Sequence, residues 1–205
     1  LDSIRLMGVP YVFVRGNHDS PVTEEAVEGQ PNAVVLDDGV AEVGGLTIAG
    51  IGDPRFTPDQ QTRPHTDEEA AATAQSVVDA GEALAETIRG WGSPVDIAVI
   101  HDPAGAAPLD GTVPLVLAGH RHAREVRDLV PPPEGAPVEA ERTLLMVQGS
   151  TGGAGLRGLE REHPDPLALS VLYFDEDRRL VGYDDITVGG TGLSEVTLQR
   201  HLVGP

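Results

Sequence analysis

Residues 9–19 read VPYVFVRGNHD, an apolar, β-branched and aromatic run followed at once by a polar turn. Such a run predicts a short buried strand. The arrangement recurs at Val95–Ile100, which precedes His101, and at Val113–Ala118, which precedes the segment 119–122, GHRH. Strands that each end in histidine predict an α/β domain whose site lies at the carboxyl ends of the strands.

The remaining elements extend this pattern over a single domain, residues 1–205. Asp67–Arg89 is Ala-rich and acidic in its first turn, which predicts a long helix. The other predicted elements are the end of a helix at Leu1–Gly8, a short helix at Thr23–Glu28, a hairpin of Ala33–Leu36 and Val40–Val43, and strands at Leu46–Ile51, Thr143–Gln148, Leu167–Phe174 and Leu180–Val188. Because the last three strands have no helices between them, we expect a partly antiparallel, mixed sheet.

Composition excludes several classes of function. The net charge is −19, all 14 basic residues are arginine, and there is no cysteine. Thiolate metal sites, disulfides and cysteine nucleophiles are therefore excluded. The acidic surface disfavours long nucleic acid and anionic membranes as partners. No apolar run approaches the roughly 18 residues of a membrane span. We predict a cytoplasmic protein, although a region before Leu1 could carry an anchor.

The histidines at the strand ends are candidate metal ligands. If residues 120–122 are extended, His120 and His122 point to the same side and could each bind one of two metal ions. A surface turn is the competing interpretation. A lone histidine such as His101 is more often bonded to backbone, and Asn17 and His18 also fit an ordinary polar turn. Asp19 is placed to hold His18 in one tautomer.

Taken in order, three motifs resemble those of the calcineurin-like metallophosphoesterases. They are Gly16-Asn17-His18-Asp19, a strand ending in His101, and Gly119-His120-Arg121-His122. They match that family's third, fourth and fifth motifs. The resemblance implies a layered mixed β-sheet sandwich flanked by helices, the metallophosphatase-like αββα fold.

The resemblance also implies roles for individual residues. Asn17, His101 and His120 would bind the second of two divalent ions (Mn, Fe or Zn), and His122 would bind the first. His18 would be the catalytic histidine, with Asp19 as its partner. The implied reaction is hydrolysis of a phosphomonoester or phosphodiester by a hydroxide that bridges the two ions.

The family's first two motifs, D-x-H and G-D-x-x-D, are absent from this chain. Gly52-Asp53 is its only Gly-Asp pair, and Phe56 stands where the second aspartate would be. We therefore expect a domain that lacks its first two strands and the helix between them, and that has little activity alone.

Three arginines are candidate substrate ligands: Arg15, Arg55 and Arg121. For each, a solvated surface position is the competing interpretation. The expected substrate is a small-molecule or nucleotide phosphoester. The alternative function is a catalytically degenerate module of the same fold that binds or scaffolds, and a protein that binds a single metal ion is a third possibility.

Overall fold

A computed structural model describes residues 2–57, 66–131, 142–152, 166–189 and 194–204. These residues form three α-helices and eleven strands. The helices are α1 (Asp2–Leu6), α2 (Pro21–Glu28) and α3 (Asp67–Trp91), and two 3₁₀ turns lie at Pro103–Gly105 and Ala107–Leu109. The strands are β1 (Tyr11–Phe13), β2 (Ala33–Val35), β3 (Gly39–Val43), β4 (Leu46–Gly50), β5 (Ile97–Val99), β6 (Leu115–Ala118), β7 (Glu125–Asp128), β8 (Leu144–Val147), β9 (Leu167–Phe174), β10 (Leu180–Val188) and β11 (Val196–Leu202).

The main layer is a six-stranded mixed sheet of order β3-β4-β5-β6-β8-β7. Its four central strands are parallel, and β3 and β7 run antiparallel at the two edges. The chain is thus a mixed α/β protein, as the sequence predicts. The carboxyl ends of β4, β5 and β6 meet at one edge of this sheet, where ligand sites of such sheets form.

The second layer contains two further sheets. Strands β1 and β2 form a parallel pair, and β9, β10 and β11 form an antiparallel sheet of order β11-β10-β9. Both pack on one face of the main sheet, which presents Ile97, Leu115 and Met146 to them. Alternate residues, including Ala98 and Val116, point to the opposite face, where α3 covers them. Successive side chains of a strand point to opposite faces of the sheet. Because a layer packs on each face, both sets of side chains are buried.

Helix α3 begins at Asp67 as its sequence predicts and ends at Trp91, two residues beyond the predicted end. The Thr66 hydroxyl caps the first turn by accepting a hydrogen bond from Glu69 N at 3.1 Å. Gly92, with φ of 80°, ends the helix in the left-handed conformation. In mid-helix, a Cβ on Gly81 would overlap the carbonyl oxygen of Gly105. Only glycine allows α3 to lie this close to the turn that follows β5.

One predicted pairing is wrong. Ala33–Leu36 and Val40–Val43 do not form a hairpin: β2 pairs in parallel with β1, and β3 pairs with β4. Asp38 adopts φ of 54°, and its turn carries the chain from one layer to the other. The sequence analysis also missed β7 and β11, since a short charged segment such as EVRD lacks an apolar run. None of the helices in the described ranges is long and apolar enough to cross a bilayer.

Candidate metal centre

Two loops at the strand ends are joined by backbone hydrogen bonds. We call residues 15–19 the β1 loop and residues 52–57 the β4 loop. Asp53 N donates to Arg15 O at 2.8 Å, and Thr57 N donates to Asn17 O at 2.7 Å. The two loops belong to different layers, so these bonds fix the turn after β1 against the edge of the main sheet.

Three side chains converge at this edge, and we call Asn17, His101 and His120 the three-donor cluster. Nε2 of His101 lies 2.9 Å from Oδ1 of Asn17, and Nδ1 of His120 lies 3.2 Å from the same Nε2. The histidine rings meet edge to face, with an interplanar angle of 75°. Asn17 is buried and both rings are half-buried. One oxygen and two nitrogens thus point toward a common region, a donor set suited to Mn, Fe or Zn.

The surroundings of both histidines favour the neutral form of the ring. Burial lowers the pKa of His101 and of His120 below the ordinary histidine value, because desolvation disfavours the charged ring. A neutral imidazole has one nitrogen lone pair free for a metal ion. The environment of the cluster therefore favours the ligand form of both rings at neutral pH.

Gly16 makes room for one of these rings. A Cβ at this position would lie 2.9 Å from both Cε1 and Nδ1 of His101. Any larger residue would push the ring away from Asn17. The glycine of the β1 loop is thus explained by close packing against His101.

His18 is held by a backbone carbonyl, and not by the neighbouring aspartate as the sequence analysis expected. Its Nδ1 lies 2.6 Å from Thr57 O. Since a carbonyl only accepts, Nδ1 carries the proton, which leaves Nε2 of this exposed ring free. Asp19 instead accepts a hydrogen bond from Gly16 N at 3.0 Å and closes the β1 loop.

Behind the cluster, Arg55 bridges two buried aspartates. Its Nη2 lies 2.6 Å from Asp53 Oδ2 and 2.7 Å from Asp102 Oδ2. Burial alone would raise the pKa of the Asp53 carboxyl, but the hydrogen bonds and charge of Arg55 outweigh burial and lower it. The predicted substrate role of Arg55 does not fit this arrangement, because its guanidinium already pairs with both carboxylates.

Asp102 also faces the cluster. Its Oδ2 lies 3.5 Å from Nε2 of His120, the ring nitrogen opposite the one that faces His101. A carboxylate on that side favours the tautomer whose Nδ1 is free to bind a metal ion. Sequence reasoning missed the roles of Asp53, Asp102 and Thr57. Asp53 and Asp102 follow apolar strands, which is the signal that could have indicated them.

The remaining predicted residues lie apart from the cluster. His120 and His122 have φ of 64° and 55°, so the argument from an extended segment is wrong: both residues adopt the left-handed conformation in a bent segment. His122 is exposed, and no described hydrogen bond joins it to the cluster; burial first, and to a smaller extent the charge of His122, lower the pKa of His120. Arg121 pairs with Glu125 at 3.0 Å, and Arg15 pairs with Glu24 at 3.2 Å. Both guanidinium groups are thus paired with glutamates, and no contact among the described residues joins either one to the cluster.

The cluster suits one divalent ion. In the described part of the chain, no group of three or more histidine, aspartate or glutamate side chains is arranged to hold a metal ion. The third donor here is an amide oxygen, which is an acceptable ligand for hard and borderline cations. The side chains present therefore fit a His–His–Asn site.

The fold and the cluster define a mixed α/β protein with a candidate metal centre at the carboxyl ends of its strands. No protein-family model matches the chain, and no curated protein is significantly similar to it. The resemblance to the metallophosphoesterases therefore rests on the three sequence motifs.

Proposed function

We propose that this chain forms part of a metal-dependent phosphoesterase with a metallophosphatase-like fold. The observation that carries the proposal is the convergence of three ligand atoms. Asn17 Oδ1 lies 2.9 Å and His120 Nδ1 lies 3.2 Å from His101 Nε2. These atoms come from three separate strand ends. A purely structural polar cluster would not need two neutral imidazoles beside an amide oxygen.

Each residue has a distinct part in the proposed reaction. The three-donor cluster would hold a divalent ion, and such an ion, when bound, would polarise a phosphoryl oxygen and lower the pKa of a water molecule. His18 presents Nε2 to solvent while Thr57 O holds Nδ1–H, so the protonated ring can donate to a phosphoryl or leaving oxygen. His122, two residues beyond His120, is the candidate ligand of a second ion.

The substrate we propose is a small-molecule or nucleotide phosphoester. The chain carries a net charge of −19, which repels a long polyanion. A single phosphoryl group can still approach, because a bound cation supplies local positive charge.

The test compares two histidine variants, made in the full-length protein because the sequence predicts little activity for this chain alone. His120→Ala removes a cluster ligand, whereas His201→Gln alters a histidine on β11, outside the cluster. We expect His120→Ala to abolish Mn²⁺-dependent hydrolysis of bis(p-nitrophenyl) phosphate and of p-nitrophenyl phosphate, and His201→Gln to keep the wild-type rate. Wild-type rates in His120→Ala would overturn the proposal.

A second candidate function is a degenerate module that binds one ion without turnover. The observation in its favour is that Asp53 and Asp102, the buried carboxylates nearest the cluster, are both paired with Arg55. Stoichiometric binding of Co²⁺ that is lost in His120→Ala, with no hydrolysis by the wild-type full-length protein, would favour this module over the phosphoesterase.

A further inference from the structure

We propose that Thr57 is a positioning residue whose hydroxyl sets the orientation of the Asn17 amide. Thr57 lies outside all the motifs and is supplied by the β4 loop. The part of the inference that concerns metal affinity rests on the proposed function. The part that concerns side-chain orientation does not.

The hydroxyl of Thr57 determines which end of the Asn17 amide faces the histidines. Its Oγ1 lies 3.2 Å from Asn17 O, to which it donates its single proton. Its lone pair is then left to accept from Asn17 Nδ2, which lies 2.6 Å away. With Nδ2 held by Thr57, Oδ1 faces His101.

The flipped amide would spoil the cluster. Nδ2 and its protons would point at His101 and His120, where a cation needs lone pairs. The Thr57 hydroxyl would also have to release Asn17 O in order to donate to Oδ1. One hydroxyl therefore distinguishes a cluster that can bind a cation from one that cannot.

The backbone of Thr57 acts on the adjacent residue. Its carbonyl accepts the Nδ1 proton of His18 at 2.6 Å, and its N–H donates to Asn17 O at 2.7 Å. Thr57 thus contacts both Asn17 and His18 through four hydrogen bonds. The loop that carries it is itself anchored, because Arg55 bridges Asp53 and Asp102.

The experiment uses two substitutions at this position and one matched control. Thr57→Val is nearly isosteric and removes only the hydroxyl, whereas Thr57→Ser restores it. Thr112→Val is the control, since that hydroxyl donates to a backbone carbonyl, Leu109 O, at 2.8 Å and has no described contact with the cluster. Folding of each variant is checked by circular dichroism, and Thr57→Ala replaces Thr57→Val if the latter does not fold.

Two quantities are measured. The first is the ¹⁵N spectrum and hydrogen exchange of the Asn17 side-chain amide in the metal-free chain. The second is the Kd for Co²⁺. We expect Thr57→Val to shift the amide signals, speed their exchange about tenfold and raise the Kd by roughly 10–100-fold, the usual range for removing a partner of a metal ligand. Thr57→Ser and Thr112→Val should match the wild type.

The inference is overturned if the amide signals of Thr57→Val match those of the wild type. It is also overturned if Thr57→Ser does not restore them. If the wild-type chain binds no Co²⁺, the proposed function fails, and the amide spectra alone still decide the role of Thr57.

Discussion

Asn17 and His101, 84 residues apart in the chain, place Oδ1 and Nε2 2.9 Å from each other. The two residues follow strands of different layers, β1 and β5. Backbone hydrogen bonds between the β1 loop and the β4 loop hold Asn17 at the edge of the main sheet, where His101 lies. The candidate metal centre is thus a property of how the two layers meet.

Gly16→Ala should displace the His101 ring, because the new Cβ would lie 2.9 Å from its Cε1 and Nδ1. We expect the Kd for Co²⁺, measured by titration, to rise at least about tenfold. Gly90→Ala is the control, since a Cβ there meets nothing within 4 Å. Wild-type affinity in Gly16→Ala would mean that the ring does not depend on this close approach.

Arg55→Met should destabilise the fold, because it leaves Asp53 and Asp102 buried without a cation. Breaking such a pair costs about 3 kcal/mol, measurable as a loss in the free energy of unfolding in urea. Arg5→Met is the matched control, since the Arg5–Asp2 pair is largely exposed and worth less than about 0.5 kcal/mol. Equal losses in the two variants would contradict the proposed importance of the buried pairs.

Binding of Co²⁺ should resist moderate acid. Burial lowers the pKa of His101 and His120, so protons compete with the metal ion only below the ordinary histidine range. We expect the Kd to stay constant from pH 8 to 7 and to rise as the pH falls below about 6. The measurement is a Co²⁺ titration at a series of pH values. A tenfold rise in Kd already between pH 8 and 7 would contradict lowered pKa values for the two rings.

Acid should weaken the fold through Asp184 on β10. Hydrogen bonds from Arg200 and Tyr173 lower the pKa of its carboxyl to about 2. A lowered folded-state pKa gives stability that is fully present above the unfolded value of about 4 and is lost as the pH falls toward 2. Urea midpoints measured between pH 5 and 2 should therefore decline.

Asp184→Asn isolates that contribution. The variant should be less stable at pH 5 and should show a flatter decline with acid than the wild type. Asp110→Asn, at an exposed position, should retain the wild-type slope. If Asp184→Asn declines as steeply as the wild type, the acid sensitivity arises elsewhere.

Local pattern predicted the elements that flank the site. The apolar runs before His101 and before Gly119 form β5 and β6, because a strand buried on both faces needs apolar residues at successive positions. The same pattern did not predict that β2 pairs with β1, since the turn at Asp38 resembles that of a hairpin and pairing depends on where each layer lies. Short charged strands such as β7 are not predicted for a related reason. Pairing with a neighbouring strand stabilises them more than their own side chains do.

By itself, the sequence determined the mixed α/β class and identified Asn17, His101 and His120 as candidate ligands. Strand periodicity and motif order are local properties of a chain, so both can be recognised without coordinates. Only the tertiary structure decided that Thr57 orients the Asn17 amide and that Arg55 pairs with two aspartates instead of standing free. These contacts join loops 40 and 47 residues apart. Their existence depends on the packing of two layers, which no local pattern encodes.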